Sequence, residues 1–329
     1  MEALINMDLD EVEIELYTKP ERLEQHLKKL HPGAVFTKGE YVSDIPGYVN
    51  DMEWNFYDEL HRYYVHNTYH DMFKVFSGKT FSVNIVKWGQ LPIFVQVANA
   101  KVAPNLFYQT MSILGIFYVH QIMKLEQLDR QVRLVRSWYT VSYWLFKPLH
   151  RFLNRKMLRL QVKQDIEDNE QIRHRRLALR DAGYHFATDK ADFTNSNRLT
   201  NNVIFPPSDD EAQIAIAHLH ADHTQNISVG ILELLLRREE DGVRIWPGIC
   251  PHEGASMNKD HVCEGVVQCP WHGRRFAGTL LQDGGKAWRF MNFDVSLEKQ
   301  NLIVRRISKH DPLRSQQVES SICTPEEVI

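Results

Sequence analysis

Residues 249–276 read ICPHEGASMNKDHVCEGVVQCPWHGRRF. Cys250 and His252 form a Cys-x-His pair, and after sixteen residues Cys269 and His272 form a Cys-x-x-His pair. Two loops, each supplying one thiol and one imidazole, make a mixed sulfur and nitrogen ligand set. Zinc sites instead group Cys-x2–4-Cys pairs with His-x3–5-His pairs, so this spacing argues against zinc. Pro251, Gly254, Pro270 and Gly273 suit tight loops whose backbone N–H groups can reach the sulfurs.

The segment, and the string CPWHG above all, resembles the Rieske family. The resemblance implies a [2Fe–2S] cluster. Cys250 and Cys269 would hold a buried iron, and His252 and His272 an iron nearer the surface. High-potential members carry an extra Cys in each loop, joined as a disulfide. Trp271 stands at the second-loop position, and the first loop offers only Glu253 and Ala255. Cys263 therefore has no partner there. Arg274 follows Gly273, where that type places a hydroxyl residue bonding a sulfur. The expectation is a potential toward the lower end of roughly −150 to +300 mV.

Working outward, residues 211–307 are strand-like, with turns at Asp241-Gly242 and Asp283-Gly284-Gly285. Pro206-Pro207 and the polar stretch DKADFTNSNRLTNN before it read as a linker. Upstream, FSVNIVKWG, PIFVQVANAKV, IFYVHQIMKLEQL and QVRLVRSWYTVSY are rich in β-branched and aromatic residues and read as strands. A strand-like segment (Glu11 to Tyr17), a short helix (Pro20 to Leu30) and a long aromatic helix (Met52 to Phe76) precede them. A charged helix (Leu149 to Ala182) follows. Helix, about five antiparallel strands and a long helix form a sheet that can curl around the closing helix and leave an apolar pocket. Over roughly residues 45–185 this order resembles the helix-grip, START-like arrangement. The fold class expected is α+β: a helix-grip domain over 1–200, an all-β Rieske domain over 201–310, and a loose tail over 311–329.

The helix near residue 60 reads EWNFYDELHRYYVHNTYHDMF. Asp58-x-x-His61-x4-His66, with the local string HRYYVH, resembles the mononuclear iron motif of Rieske oxygenases. By that resemblance His61 and His66 would be ligands of Fe(II), leaving positions open for O₂ and substrate. Asp58 would be the catalytic carboxylate that links a cluster histidine to an iron ligand, across a subunit interface in a homotrimer. The third ligand would be Asp165 in VKQDIEDNEQI, with Asp168 in reserve. Residues five apart on an ideal helix point about 140° away from each other, so the site requires a distorted helix. The family usually places its Rieske domain first, whereas here it comes second.

Composition narrows the rest. Hydrophobic residues make up 43% and charged residues 25%, the balance of a globular chain, and the net charge of −3 offers no field for nucleic acid. Four cysteines are too few for a secreted disulfide framework, the N-terminus lacks a signal-peptide pattern, and no run approaches the ~20 apolar residues of a membrane span, so a cytoplasmic location is expected. HLHADH at 218–223 matches a metallo-β-lactamase string outside its usual context and reads as a polar edge strand with His218 and His220 on one face.

Together these features point to an oxygenase terminal component that oxidises a hydrophobic, aromatic or lipid-like small molecule with O₂. No Gly-x-Gly-x-x-Gly fingerprint occurs, so electrons would come from a separate ferredoxin or reductase. The alternative is a Rieske electron carrier fused to a non-catalytic helix-grip domain that binds lipid or pigment. In that case YWLFKPLHRFLNRKMLRL would become a membrane-surface or partner contact.

Overall fold

The computed structural model describes residues 17–58, 61–66, 69–77, 81–88, 93–143, 147–190, 202–206, 211–221 and 223–307. The chain divides into two units. The first holds residues 1–178 and 188–198, and the second 179–187 and 199–329. The sequence places the segment 179–187 with the first domain. It belongs to the second because Leu179, Tyr184 and Phe186 are buried in that unit's core. The expected strand from Glu11 and the tail over 311–329 lie outside the described residues, apart from Tyr17.

The first unit is built on seven strands: β1 (Val35–Pro46), β2 (Tyr69–Ser77), β3 (Phe81–Trp88), β4 (Phe94–Ala103), β5 (Leu106–Ile113), β6 (Phe117–Gln127) and β7 (Gln131–Ser142). All pair antiparallel, in the order β1-β7-β6-β5-β4-β3-β2. Two more strands are present than the sequence reading counts. Strand β1 joins the edge beside β7, and β2 comes from the far end of the expected long helix, which is broken in three. Helix α1 (Pro20–Leu30) is as expected; α2 (Val49–Tyr57) then stops at Asp58, whose ψ of 86° leaves the helical region, and a single turn, α3 (His61–Tyr64), follows. The alternating end of the segment gains ladder bonds by pairing with β3, from Tyr69 opposite Trp88 to Ser77 opposite Ser82.

Helix α4 (His150–Asp168) closes the unit and runs through a π-helical segment, Asn169–Arg173, into α5 (His174–Asp181). Buried apolar side chains alternate along the strands: Val97, Phe117 and Val119 pack with Met157 of α4, and Ile45, Leu125 and Leu134 pack with Met52 of α2. Each such burial contributes about 1.5–3 kcal/mol. Trp138 of β7 lies over its register partner Gly39 of β1, where an added Cβ would come 2.2 Å from the indole.

The second unit is rich in strands. After β8 (His185–Phe186) and β9 (Val203–Ile204) come β10 (Ala212–Ala215), β11 (Gln225–Val229), β12 (Leu232–Glu239), β13 (Gly242–Pro247), β14 (Val262–Cys263), β15 (Val266–Gln268), β16 (Arg275–Ala277), β17 (Thr279–Leu281), β18 (Trp288–Phe290), β19 (Phe293–Glu298) and β20 (Asn301–Arg306). Sheets β11-β12-β13-β17 and β10-β20-β19-β18 enclose Leu234, Leu236, Ile245, Val295 and Leu302, and the small sheet β14-β15-β16 carries one of the two motif loops. The HLHADH stretch is not an edge strand. Ile216–His218 is a 3-10 turn, Leu219 is buried, and the exposed rings of His220 and His223 stack 4.8 Å apart. Among the described residues no helix is long and apolar enough to cross a membrane.

Candidate metal centres

The two motif loops repeat one local geometry. Cys250 N–H donates to the Ala255 carbonyl and Gly254 N–H donates to the Cys250 carbonyl; Cys269 N–H donates to the Arg274 carbonyl and Gly273 N–H to the Cys269 carbonyl. Gly254 and Gly273 both adopt positive φ, +86° and +65°, which a residue bearing Cβ disfavours. The first loop follows β13, and the second connects β15 to β16. This turn chemistry brings Cys250, His252, Cys269 and His272 together, all buried. The imidazoles, expected near the surface, are 0% and 6% exposed.

The Nδ1 atoms of His252 and His272 lie 3.2 Å apart. Two imidazole lone pairs converging at that separation suit one metal ion at about 2 Å from each. Burial pushes the Cys250 thiol up. At Cys269 the same penalty is outweighed by hydrogen bonds from Cys250 and His272, which hold it down. Metal binding would require both thiols to lose their protons. Asn202 donates to Glu253 Oε2 at 2.7 Å, and Glu253 Oε1 lies 3.6 Å from His252 Nε2. Glu253 and Asn202 were not singled out from sequence as neighbours of the ligands. Their separation of 51 residues carries no local signal.

A second cluster occupies the first unit. His61, His66 and Asp168 are all buried and offer one ligand atom each, all within 4.8 Å of one another. Asp168 Oδ1 lies 3.2 Å from His66 Nε2 and 3.6 Å from His61 Nε2, and makes no hydrogen bond. The other ring nitrogens are engaged elsewhere: His66 Nδ1 is 2.9 Å from Glu167 Oε2, and His61 Nδ1 meets the Asp58 carbonyl oxygen. With the Nδ1 sides so engaged, both Nε2 atoms turn toward the carboxylate, and Asn55 Nδ2 also lies 3.5 Å from His61 Nε2. A pair of imidazoles and one carboxylate so arranged fits a divalent transition metal.

Burial brings the His61 pKa down to about 4, keeping the ring neutral as a ligand must be. Burial alone would raise Asp168. His61, His66 and Arg173 outweigh it and bring the carboxyl to about 2. Arg173, from the π-helical segment, lies 3.4 Å from Asp168 Oδ2, so the carboxylate is held on one oxygen and presents the other.

The first-choice acid, Asp165, is elsewhere. Arg136 of β7 takes it in a forked pair at 2.9 and 3.3 Å, and Arg173 lies 3.5 Å away. The reserve acid, Asp168, stands with the histidines instead. The helix-distortion difficulty also disappears, because the helix ends at Asp58 and His66 lies beyond α3. Asp58 is fully buried, with Oδ2 3.8 Å from His61 Nδ1. Glu167 and Arg173 were missed from sequence, although the acidic QDIED string marked the neighbourhood.

A cavity of about 60 Å³ adjoins His61, His66 and Asp168 and reaches Gln109, Gln121 and Arg136 on the sheet. A second, of about 20 Å³, is walled by Val95, Ile113, Phe117 and Val119 and shares Met111, Met157 and Leu160 with the first.

Comparison with known proteins places the motif loops in a family. The model of the Rieske [2Fe–2S] domain matches residues 213–285. Apoptosis-inducing factor 3 of Homo sapiens is 28% identical over 118 residues, 34% of this chain and 20% of that protein. The chain spans about a fifth of the length of the curated relatives it matches. Among solved structures, the ZhuI aromatase/cyclase of Streptomyces sp. R1128 matches 40% of this chain and 91% of that one, at 10% identity and a TM-score of 0.36. Truncated norcoclaurine synthase of Thalictrum flavum matches 41% and 93%, at 11% identity and a TM-score of 0.33. The chain thus carries a C-terminal Rieske [2Fe–2S] domain, preceded by a unit built on one seven-stranded antiparallel sheet with a closing helix.

Proposed function

We propose that this chain is the terminal component of a Rieske non-haem iron oxygenase with its catalytic domain placed first. The observation that carries the reading is the buried trio His61, His66 and Asp168, with both Nε2 atoms turned toward one carboxylate oxygen. Cys250, Cys269, His252 and His272 would hold the cluster, and the trio would hold Fe(II). When bound, the cluster supplies single electrons and the ferrous ion an open coordination face for O₂.

The chain's own residues do the rest. Glu167 and the Asp58 carbonyl oxygen orient the two imidazoles, and Arg173 anchors Asp168. Buried side chains keep bulk water from the trio. Asp58 is the proposed relay carboxylate toward a cluster histidine, the other half of the path coming from a neighbouring subunit of a trimer. A separate ferredoxin or reductase supplies electrons. The substrate is a small, largely hydrophobic molecule that enters the cavity beside the trio.

The test is iron stoichiometry. Fully loaded protein should hold three irons per chain, two from the cluster and one from the trio. His61→Ala or His66→Ala should reduce this to two and leave the visible spectrum of the cluster intact. Asp58→Asn should keep three irons but prevent reoxidation of reduced cluster by O₂ in the presence of substrate. A wild-type chain that never exceeds two irons after Fe(II) reconstitution rejects the oxygenase and leaves the fused electron carrier.

A further inference from the structure

The wall of the cavity opposite the trio is not simply apolar. One cross-strand row runs Ser82, Asn99, Gln109, Gln121, Trp138 and Gly39, through β3, β4, β5, β6, β7 and β1. Residues directly opposite in antiparallel pairs share a face, so these side chains form a single stripe. At one end the stripe satisfies itself. Gln109 donates to Asn99 Oδ1 at 2.6 Å, and Asn99 Nδ2 lies 3.3 Å from Ser82 Oγ.

At the β6 end it does not. Gln121 is 1% exposed, yet its Nε2 finds no acceptor, and its register partner Trp138 offers only an indole donor. Two residues along β7, Arg136 gives both terminal nitrogens to Asp165, and its buried Nε also finds no acceptor. Both residues line the cavity that holds His61, His66 and Asp168. Buried donors are ordinarily paired, so two adjacent exceptions in one cavity wall mark a place for an acceptor. Beyond them the adjoining space is apolar. Its shared walls include Met111 and Met157, whose unbranched side chains can shift to join the two spaces.

We infer that the substrate is a small amphipathic molecule bearing an sp2 oxygen, as in a ketone, ester or carboxylate. Gln121 Nε2 and Arg136 Nε donate to that oxygen, and the hydrocarbon part lies among Val95, Phe117 and Val119. This rests on the oxygenase reading for the word substrate; the recognition chemistry itself needs no iron.

The test uses loaded, full-length protein, titrated calorimetrically under anaerobic conditions with acetophenone, benzoate and ethylbenzene. The three share an aromatic body and differ in the acceptor. At least one oxygen-bearing probe should bind at least about 10-fold more tightly than ethylbenzene, because an unpaired buried donor penalises the analogue that lacks its partner. Preference for benzoate assigns a carboxylate, and preference for acetophenone a neutral carbonyl. Gln121→Met, which keeps length and removes the donor, should shrink the preference to under about 3-fold without weakening ethylbenzene.

Equal binding of all three, no binding of any, or a preference that survives Gln121→Met would overturn the inference; the last would mean that water occupies the donors. Iron counts on the same samples separate the two readings. Two irons with the preference intact reject the oxygenase and retain the recognition, whereas three irons without the preference do the reverse.

Discussion

The carboxylate of Glu167 lies 2.9 Å from Nδ1 of His66, on the side of the ring opposite Asp168. A carboxylate there holds the imidazole in the tautomer that presents Nε2. Glu167→Ala should therefore weaken Fe(II) binding at the trio by about 10–100-fold and leave the cluster spectrum unchanged. Iron retention during dialysis against a graded chelator measures this. Unchanged retention would show that Glu167 is only a surface partner of His66.

Asp165 and Asp168 should behave oppositely. Asp168→Ala removes a proposed ligand and should lose the third iron. Asp165→Asn leaves Arg136 with a neutral partner in a buried site, which costs on the order of 3 kcal/mol in stability, while three irons remain. Urea midpoints and iron counts on both variants decide the matter. Loss of iron in Asp165→Asn with unchanged stability would exchange the two roles.

Gly254 has φ +86°, and an added Cβ would come 2.5 Å from Leu179 Cδ1. Gly265 has φ +80° with nothing within 4 Å. Gly265→Ala should cost about 1 kcal/mol from backbone strain alone. Gly254→Ala adds overpacking of about 1–3 kcal/mol and should loosen the loop that carries Cys250 and His252. Comparing thermal midpoints and cluster content of the two variants isolates the packing contribution.

Cys263 is free and exposed, and Trp271 is buried in the second loop. With no second-loop cysteine at that position, the cluster midpoint should fall in the lower half of the roughly −150 to +300 mV Rieske range. Cys263→Ser should leave it unchanged. Protein-film voltammetry reads both values, and a midpoint near the top of the range would contradict the assignment.

His120 predicts an acid limb in stability. Burial, aided by His31, lowers its pKa to about 4. Its neighbours are His31, the stacked Tyr118, and Tyr108, whose hydroxyl lies 2.6 Å from Nδ1. The unfolded chain takes up the proton near the ordinary value of about 6.5, before the native ring does. Between these values the unfolded state binds more protons, so stability declines as pH falls from about 6.5 toward 4. The full loss is on the order of 3 kcal/mol. His61, also lowered to about 4, contributes to the same limb, so His120→Gln should make it shallower without abolishing it in urea titrations, and an identical slope would place its origin elsewhere.

Periodicity sufficed where the local pattern was long and consistent. Helix α1, the closing helix and the alternating strands β3, β4, β6 and β7 were legible for that reason. It failed over 52–76, where aromatic and histidine residues suited a helix face equally well. There the pairing of β2 with β3 settled the conformation, and the pairing partner lies beyond the window a periodicity can sample. The donors Gln121 and Arg136 carried no signal either, since a polar residue in an alternating strand ordinarily faces water.

The sequence by itself determined the Rieske loops. Each places its thiol, imidazole and positive-φ glycine within five residues, so short-range turn geometry is enough to single out the candidate ligands. Only the tertiary structure decided which acid stands with His61 and His66. Asp165 and Asp168 are identical in chemistry and lie about one helical turn apart. What separates them is Arg136, delivered by β7 to pair with Asp165, and Arg173, delivered by the π-helical segment to turn Asp168 Oδ1 toward the histidines. The first pairing spans 29 residues, beyond any local spacing; the second spans only five, but it depends on the π-helical turn that no residue spacing announces.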